Sequence, residues 1–155
     1  MTSQESRALQ AWVRLLRGHA GARRTLSVHL HAEHDLTVND FECMLLLARA
    51  EDGQLRRVDL AEALQMTASG VTRLLDKLEE QQFVEKKSCS SDARVSYAAL
   101  TKLGRRKLEQ ASSSHIASVD ALFKERFTDS ELETLAELLG RLPGSGGVTG
   151  EDCRP

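Results

Sequence analysis

The chain has little of what builds β cores, membrane spans or thiol and metal centres. Aromatic residues make up 4% of its 155 positions, while Leu and Ala are plentiful. That balance favours helices over a β sandwich. No apolar run approaches the roughly 18 residues that a bilayer crossing requires; the longest, Cys43 to Ala48, suits a piece of buried helix. Met1 to Arg7 has no apolar segment of the signal-peptide kind, so a cytoplasmic location is expected, with no membrane partner. Cys43, Cys89 and Cys153 are odd in number, widely spaced and without a CxxC, which makes reduced thiols the expectation. There is no phosphate-cradling Gly loop and no nucleophile elbow. Ser112-Ser113-Ser114-His115 sets a serine beside a histidine, yet adjacent helical positions point apart. No catalytic residue and no cofactor are expected, and an enzyme is disfavoured.

What is present is an uneven charge. The net charge is −2, but residues 54–107 hold 11 of the 21 basic and 7 of the 23 acidic side chains, a balance of +4 against −6 for the remainder. A basic module on an acidic frame fits a nucleic-acid binder. The same region, Leu55 to Gly104, reads as helix, tight turn, helix and a hairpin tipped by Asp92-Ala93-Arg94. Such an arrangement offers one element to the DNA major groove and another to the neighbouring minor groove.

Apolar spacing places a first helix over about Gln4 to Ala32, with Leu9, Trp12, Val13, Leu15, Leu16, Leu26 and Leu30 on its apolar side. Gly18 and Gly21 weaken its middle and mark either a bend or a close approach of another helix. Thr37 and Asp40 form a capping box for a second helix, which Glu51-Asp52-Gly53 ends. A short third helix covers Val58 to Leu64, with Val58, Leu60, Ala61 and Leu64 inward. Thr67 or Ser69 caps a fourth helix to about Gln82, with Val71, Leu74, Leu75 and Leu78 inward and Ala68, Ser69, Thr72, Arg73 and Asp76 outward. Phe83–Lys87 and Val95–Leu100 read as two strands. A long helix from Thr101 to Phe127 follows. Thr128 and Glu131 box the start of a last helix that Pro143 stops. Residues 144–155 are Gly-rich and aperiodic, which predicts a disordered tail.

On these residues the chain resembles the MarR family of winged-helix transcription regulators over roughly Leu9 to Leu142. The resemblance is carried by Leu36-Thr37, by Leu60-Ala61, and by Thr67-Ala-Ser-Gly-Val-Thr-Arg73-Leu-Leu-Asp-Lys-Leu-Glu79 as recognition helix. Phe83-Val84 and the wing signature Asp92-x-Arg94-x5-Leu100-Thr101-x2-Gly104 complete it. The fold expected is mainly α with a small β-hairpin wing: a winged helix-turn-helix with N- and C-terminal dimerisation helices. The organisation expected is a dimerisation helix at 1–35, a DNA-binding module at 36–104, C-terminal dimerisation helices at 105–142 and a tail at 143–155. The resemblance implies a homodimer on a near-palindromic double-stranded operator, usually a repressor released by a phenolic or other anionic ligand, or by cysteine oxidation. Where many relatives carry a second wing arginine this chain has Ala93, which predicts a weaker grip on the phosphate backbone.

Arg94 suits a narrow A·T-rich minor groove. Asp92 shapes the wing by accepting hydrogen bonds rather than touching DNA. Thr67, Ser69 and Thr72 can bind phosphate together with helix N-terminal amides, and Arg73 can bind a guanine edge. Arg56, Arg57, Lys77, Lys86, Lys87 and Lys102 are candidate phosphate neighbours, each also explicable as a solvated charge. Trp12, His19, Arg23 and Glu42 are candidates for an effector pocket. Some urate-sensing relatives use a first-helix Trp, an Arg and an Asp, and Glu42 stands in place of that Asp. His29 and His31 point about 200° apart and only His31 and His34 share a face, so these histidines and Glu33 read as solvated rather than metal-binding. Cys43 reads as core, and Cys89 as an exposed thiol that a nearby Lys can activate. Three rival functions remain open: a regulator sensing oxidation or metal, a non-specific architectural DNA-binding protein, and a winged-helix protein–protein module. The architectural role requires a larger basic excess than +4.

Overall fold

In the computed structural model, which describes residues 6–88, 91 and 94–145, six helices surround a small antiparallel sheet. Ser6 opens α1 (Arg7–His34) by accepting the Leu9 amide on its Oγ at 3.1 Å, and Asp35 closes it in the left-handed region at φ 54°. The helix runs two residues beyond the expected end. It passes unbroken through Gly18 and Gly21, where an added Cβ would meet nothing within 4 Å, so no neighbour approaches closely at either glycine. From Arg7 to Ala20 no residue is buried; Leu30 is the helix's one fully enclosed side chain.

The capping box of α2 (Val38–Arg49) forms as the sequence implies. Thr37 Oγ1 accepts the Asp40 amide at 3.0 Å, and Asp40 Oδ2 accepts the Thr37 amide at 2.8 Å. The helix stops at Arg49. Gly53, at φ 68°, turns the chain not out of a helix but into β1 (Gln54–Arg56), a strand absent from the sequence reading. Next come α3 (Arg57–Ala63) and α4 (Ala68–Glu80), joined through Gln65 at φ 52°. Leu60 is fully buried, but Val58 is 64% exposed, contrary to its expected place in the core, because two positions before Leu60 it points about 200° away from the buried side of this short helix.

Then β2 (Val84–Ser88) and β3 (Ser96–Leu100) build the wing's stem. The sheet order is β1-β3-β2: Leu55 and Lys86 both pair with Ala98, from opposite sides of β3. The wing is therefore three-stranded at its base. Thr101 caps α5 (Lys102–Lys124), accepting the Gly104 amide at 2.9 Å and donating its hydroxyl to Gln82 O at 2.6 Å. Thr128 and Glu131 form the second capping box, at the start of α6 (Asp129–Leu139). No residue of α6 is buried.

The core is drawn from α1 to α5 and the sheet. Leu30, Leu36, Phe41, Met44, Leu47, Leu60, Val71, Leu78 and Leu108 are each at most 2% exposed. Fully burying one such side chain stabilises by about 1.5–3 kcal/mol, so the winged module is held firmly against α5. Leu9, Trp12 and Leu16 on α1, and Phe127, Leu138 and Leu142 at the other end of the chain, stay 38–57% exposed. No helix among the described residues is long and apolar enough to cross a membrane.

Candidate nucleic-acid interface

The fourth helix presents the expected face. Val71, Leu74, Leu75 and Leu78 are buried, and Ala68, Ser69, Arg73 and Asp76 are exposed; Thr72, also expected outward, is half-buried. Thr67 is the cap: its Oγ1 accepts the Gly70 amide at 3.1 Å and lies 3.3 Å from Ser69 Oγ. Both hydroxyls thus sit beside the orphan amides of the helix's first turn, the usual place for an anion. Arg73 has no hydrogen bond or ion pair among the described residues and is exposed. Arg94 is exposed in the turn before β3 and is already engaged within the chain. Asp92, with its expected wing-shaping role, lies outside the described residues, as do Ala93, Cys89 and Cys153.

Several expected phosphate contacts have other partners. Lys77 reaches back to Asp40 at 2.6 Å, and Asp40 is only 1% exposed. One carboxylate oxygen therefore holds both the Thr37 amide and the recognition helix's lysine. A buried charge needs such compensation. Lys86 is clasped by Asp76 and by Glu79, the latter at 3.1 Å; both carboxylates hold its ammonium proton more tightly than usual. Arg56 lies on Asp59 at 2.8 Å, which strengthens the hold on the arginine proton and lowers the Asp59 carboxyl from its ordinary range. Lys87 lies 3.3 Å from Glu85, with both side chains half exposed. Lys102 stays exposed with no described partner. Arg57 turns inward across the helix-turn-helix and donates Nη1 to Thr72 Oγ1 at 3.1 Å. Sequence spacing does not display these pairings, since Asp40 and Lys77 lie 37 residues apart and Arg57 and Thr72 lie 15 apart.

A second feature lies between α1, α2 and the α3–α4 turn. It is an open groove of about 610 Å³ lined by His19, Arg23, Asn39, Glu42, Arg49 and Met66 among others. Arg23 donates to Glu42 at 3.1 and 3.3 Å and also to Asn39. Three of the four expected effector residues therefore meet. Trp12 does not: it is 57% exposed on α1 and takes no part in the groove. It shares a face of α1 with His19 but lies two helical turns, about 10 Å, beyond it along the helix. Asn39 and Arg49 were missed by sequence reasoning, although both lie one turn or two from Glu42 on α2.

His29, His31 and Glu33 are exposed, as the solvated reading expects, and His34 departs from it. His31 pairs with Asp35 at 3.3 Å on the surface, but the His34 side chain is only 15% exposed, with Nε2 2.6 Å from Ser114 Oγ. The last turn of α1 packs against α5, which encloses it. Among the described residues no group of three metal-capable side chains comes together. His115 is buried against the Phe41 ring, with centroids 4.6 Å apart. Burial lowers its pKa, opposed by the Glu42 carboxylate. Cys43 is buried, and desolvation followed by the Asp40 charge pushes its thiol up to about 12, which keeps it protonated and unreactive.

Known proteins share this geometry. Residues 36–96 match the model of the MarR family. The HTH-type transcriptional repressor YetL of Bacillus subtilis is 31% identical over 114 residues, covering 74% of this chain and 68% of that protein. The crystal structure of AbsC, a MarR family transcriptional regulator from Streptomyces coelicolor, superposes with a TM-score of 0.76 at 27% identity, over 89% of this chain and 93% of that one. A mutant MarR from E. coli, solved in complex with operator DNA, superposes at 0.73 with 25% identity, over 88% and 96% of the two chains. A helix-turn-helix with an outward Arg73, a three-stranded wing stem and these relatives lead to one conclusion: the chain belongs to the MarR family of winged-helix transcriptional regulators.

Proposed function

We propose that two copies of this chain, clasped through α1 and the α5–α6 end, bind a near-palindromic operator and repress the adjacent gene. Residues 36–104 are the reading module in this scheme, and the segments 1–35 and 105–142 are the clasp. The observation that carries it is the outer face of α4. There an exposed, unpartnered Arg73 stands on a helix whose inner face is buried and whose Lys77 is tied to Asp40. Such anchoring keeps a base-reading side chain in register. Apolar side chains left open on α1, on α6 and just beyond it support the clasp, since Leu9, Trp12, Leu16, Leu138 and Leu142 stay about half exposed among the described residues. Thr67 and Ser69 supply phosphate contacts, and the exposed Arg94 enters the minor groove. Lys102 adds backbone charge, while Arg57 is held inward on Thr72. The paired Arg56, Lys77, Lys86 and Lys87 hold the scaffold instead.

The groove at His19, Arg23 and Glu42 supports an effector site for a small aromatic or anionic ligand. An arriving carboxylate can replace Glu42 on Arg23 and so loosen α1 from α2. YetL is named as a repressor, which agrees with this direction of control.

Footprinting and a salt titration test the reading together. The expected result is one protected two-fold site, with the slope of log affinity on log salt reduced by about one in Arg94→Ala and unchanged in Lys86→Met. Protection without sequence preference, or an Arg94→Ala slope equal to that of the parent, would overturn it. For the ligand, calorimetry with small aromatic acids is expected to show binding that Arg23→Gln abolishes.

A further inference from the structure

The middle of the DNA-facing side of α4 is occupied by Thr72, between the exposed Ala68, Ser69, Arg73 and Asp76. A threonine there is ordinarily read as a hydroxyl for phosphate or a base edge. In this fold its hydroxyl is occupied on both sides. It donates to Ala68 O at 3.0 Å, one turn back, and accepts from Arg57 Nη1 at 3.1 Å. The first bond selects one χ1 rotamer of a β-branched side chain that otherwise divides between two in a helix. The second comes from a different helix and carries a full positive charge, so it is stronger than a neutral hydrogen bond and holds that rotamer in place. Turning the hydroxyl to DNA would break a charge-assisted bond. The group left on Cβ for contact is the γ-methyl, and Ala68 sets a second methyl on the same side of the helix.

Methyl groups on a recognition helix match one feature of the major groove, the C5 methyl of thymine. We propose that Thr72 specifies a thymine in each half-site through its γ-methyl, with Arg57 as the positioning residue that keeps the hydroxyl out of the groove. Arg57, expected from the sequence to sit on the phosphate backbone, thus acts on base choice through Thr72. This inference rests on the reading of the chain as an operator-binding dimer and adds the chemistry of one base to it.

The test uses the full chain and a duplex selected from a randomised pool for tight binding. Each thymine is replaced in turn by 2′-deoxyuridine, which removes only the C5 methyl. One thymine per half-site is expected to lose about fourfold in affinity, the worth of one methyl contact. In Thr72→Ser, which keeps the hydroxyl and lacks the methyl, that thymine-to-uracil ratio disappears. In Thr72→Val, which keeps a methyl and lacks the hydroxyl, the ratio is retained. Arg57→Gln, which frees the hydroxyl, lowers the ratio; a variant that merely loosened the fold would weaken both duplexes equally and leave it unchanged.

A flat uracil scan on a tight operator overturns the inference and leaves the operator reading intact. So does a ratio that persists in Thr72→Ser or vanishes in Thr72→Val. A pool that yields no preferred sequence overturns the operator reading, and the thymine contact with it.

Discussion

At the scale of single residues, polar groups in the interior decide more than their number indicates. Among the described residues Ser112 Oγ and His115 Nδ1 are buried without a hydrogen-bond partner, three positions apart on α5. Neutral imidazole tolerates that site better than imidazolium, so His115 binds its proton less readily in the folded chain than its ordinary value of about 6.5. Glu42 pulls the other way but does not outweigh burial. The sign follows from linkage: below about 6.5 the unfolded chain takes up a proton that the folded one declines. Stability is thus complete above that pH and declines as the pH falls towards the folded-state pKa. Thermal unfolding between pH 7 and 5 is expected to show a shallower acid slope in His115→Leu than in the parent. Equal slopes would place the acid sensitivity elsewhere.

The same scale shows where sequence reading stops. Asp40 was legible as half of a capping box from Thr37 alone, because that motif is local and its hydrogen bonds follow from spacing. Its second bond, to Lys77, brings together helices far apart in the chain, and no periodicity records it. His34 looked solvated for a similar reason. The α5 surface that encloses it is some 80 residues away.

Among the elements, the well-defined ones announce themselves. The two capping boxes and the Thr67 cap set the starts of α2, α4 and α6, and the spacing of Val71, Leu74, Leu75 and Leu78 matches the buried stripe of α4. β1 did not, because three residues are too few to show alternation and their partner strand lies more than 40 residues on. Val58 misled because a short helix has too few turns to say which side its first turn faces. Gly104, quoted only as part of a motif, proves to be the joint between wing and α5. A Cβ there would lie 2.0 Å from Phe83 O, a backbone atom that cannot move aside without dragging β2. Gly104→Ala is expected to destabilise the fold by at least about 2 kcal/mol. Denaturant titration checks it, and a change within about 0.5 kcal/mol would mean that the joint yields.

For the whole molecule, the burial pattern is lopsided. The winged module and the first part of α5 share a continuous core, whereas the first half of α1 and all of α6 contribute no fully buried side chain. If a second copy covers them, stability must depend on protein concentration. The midpoint of thermal unfolding is expected to rise by several degrees as the concentration increases from about 1 to 100 µM. A midpoint independent of concentration, with a single-chain mass in ultracentrifugation, would count against the clasp.

The first helix has 28 residues, a rod of about 42 Å, and its one enclosed side chain is Leu30, close to the far end. Such a rod has the geometry of a long lever arm. A tilt of 5° about Leu30 swings the tip at Arg7 by roughly 3 Å, a whole hydrogen-bond length. A second copy that held the tip would therefore fix the bearing of the module rooted beneath it.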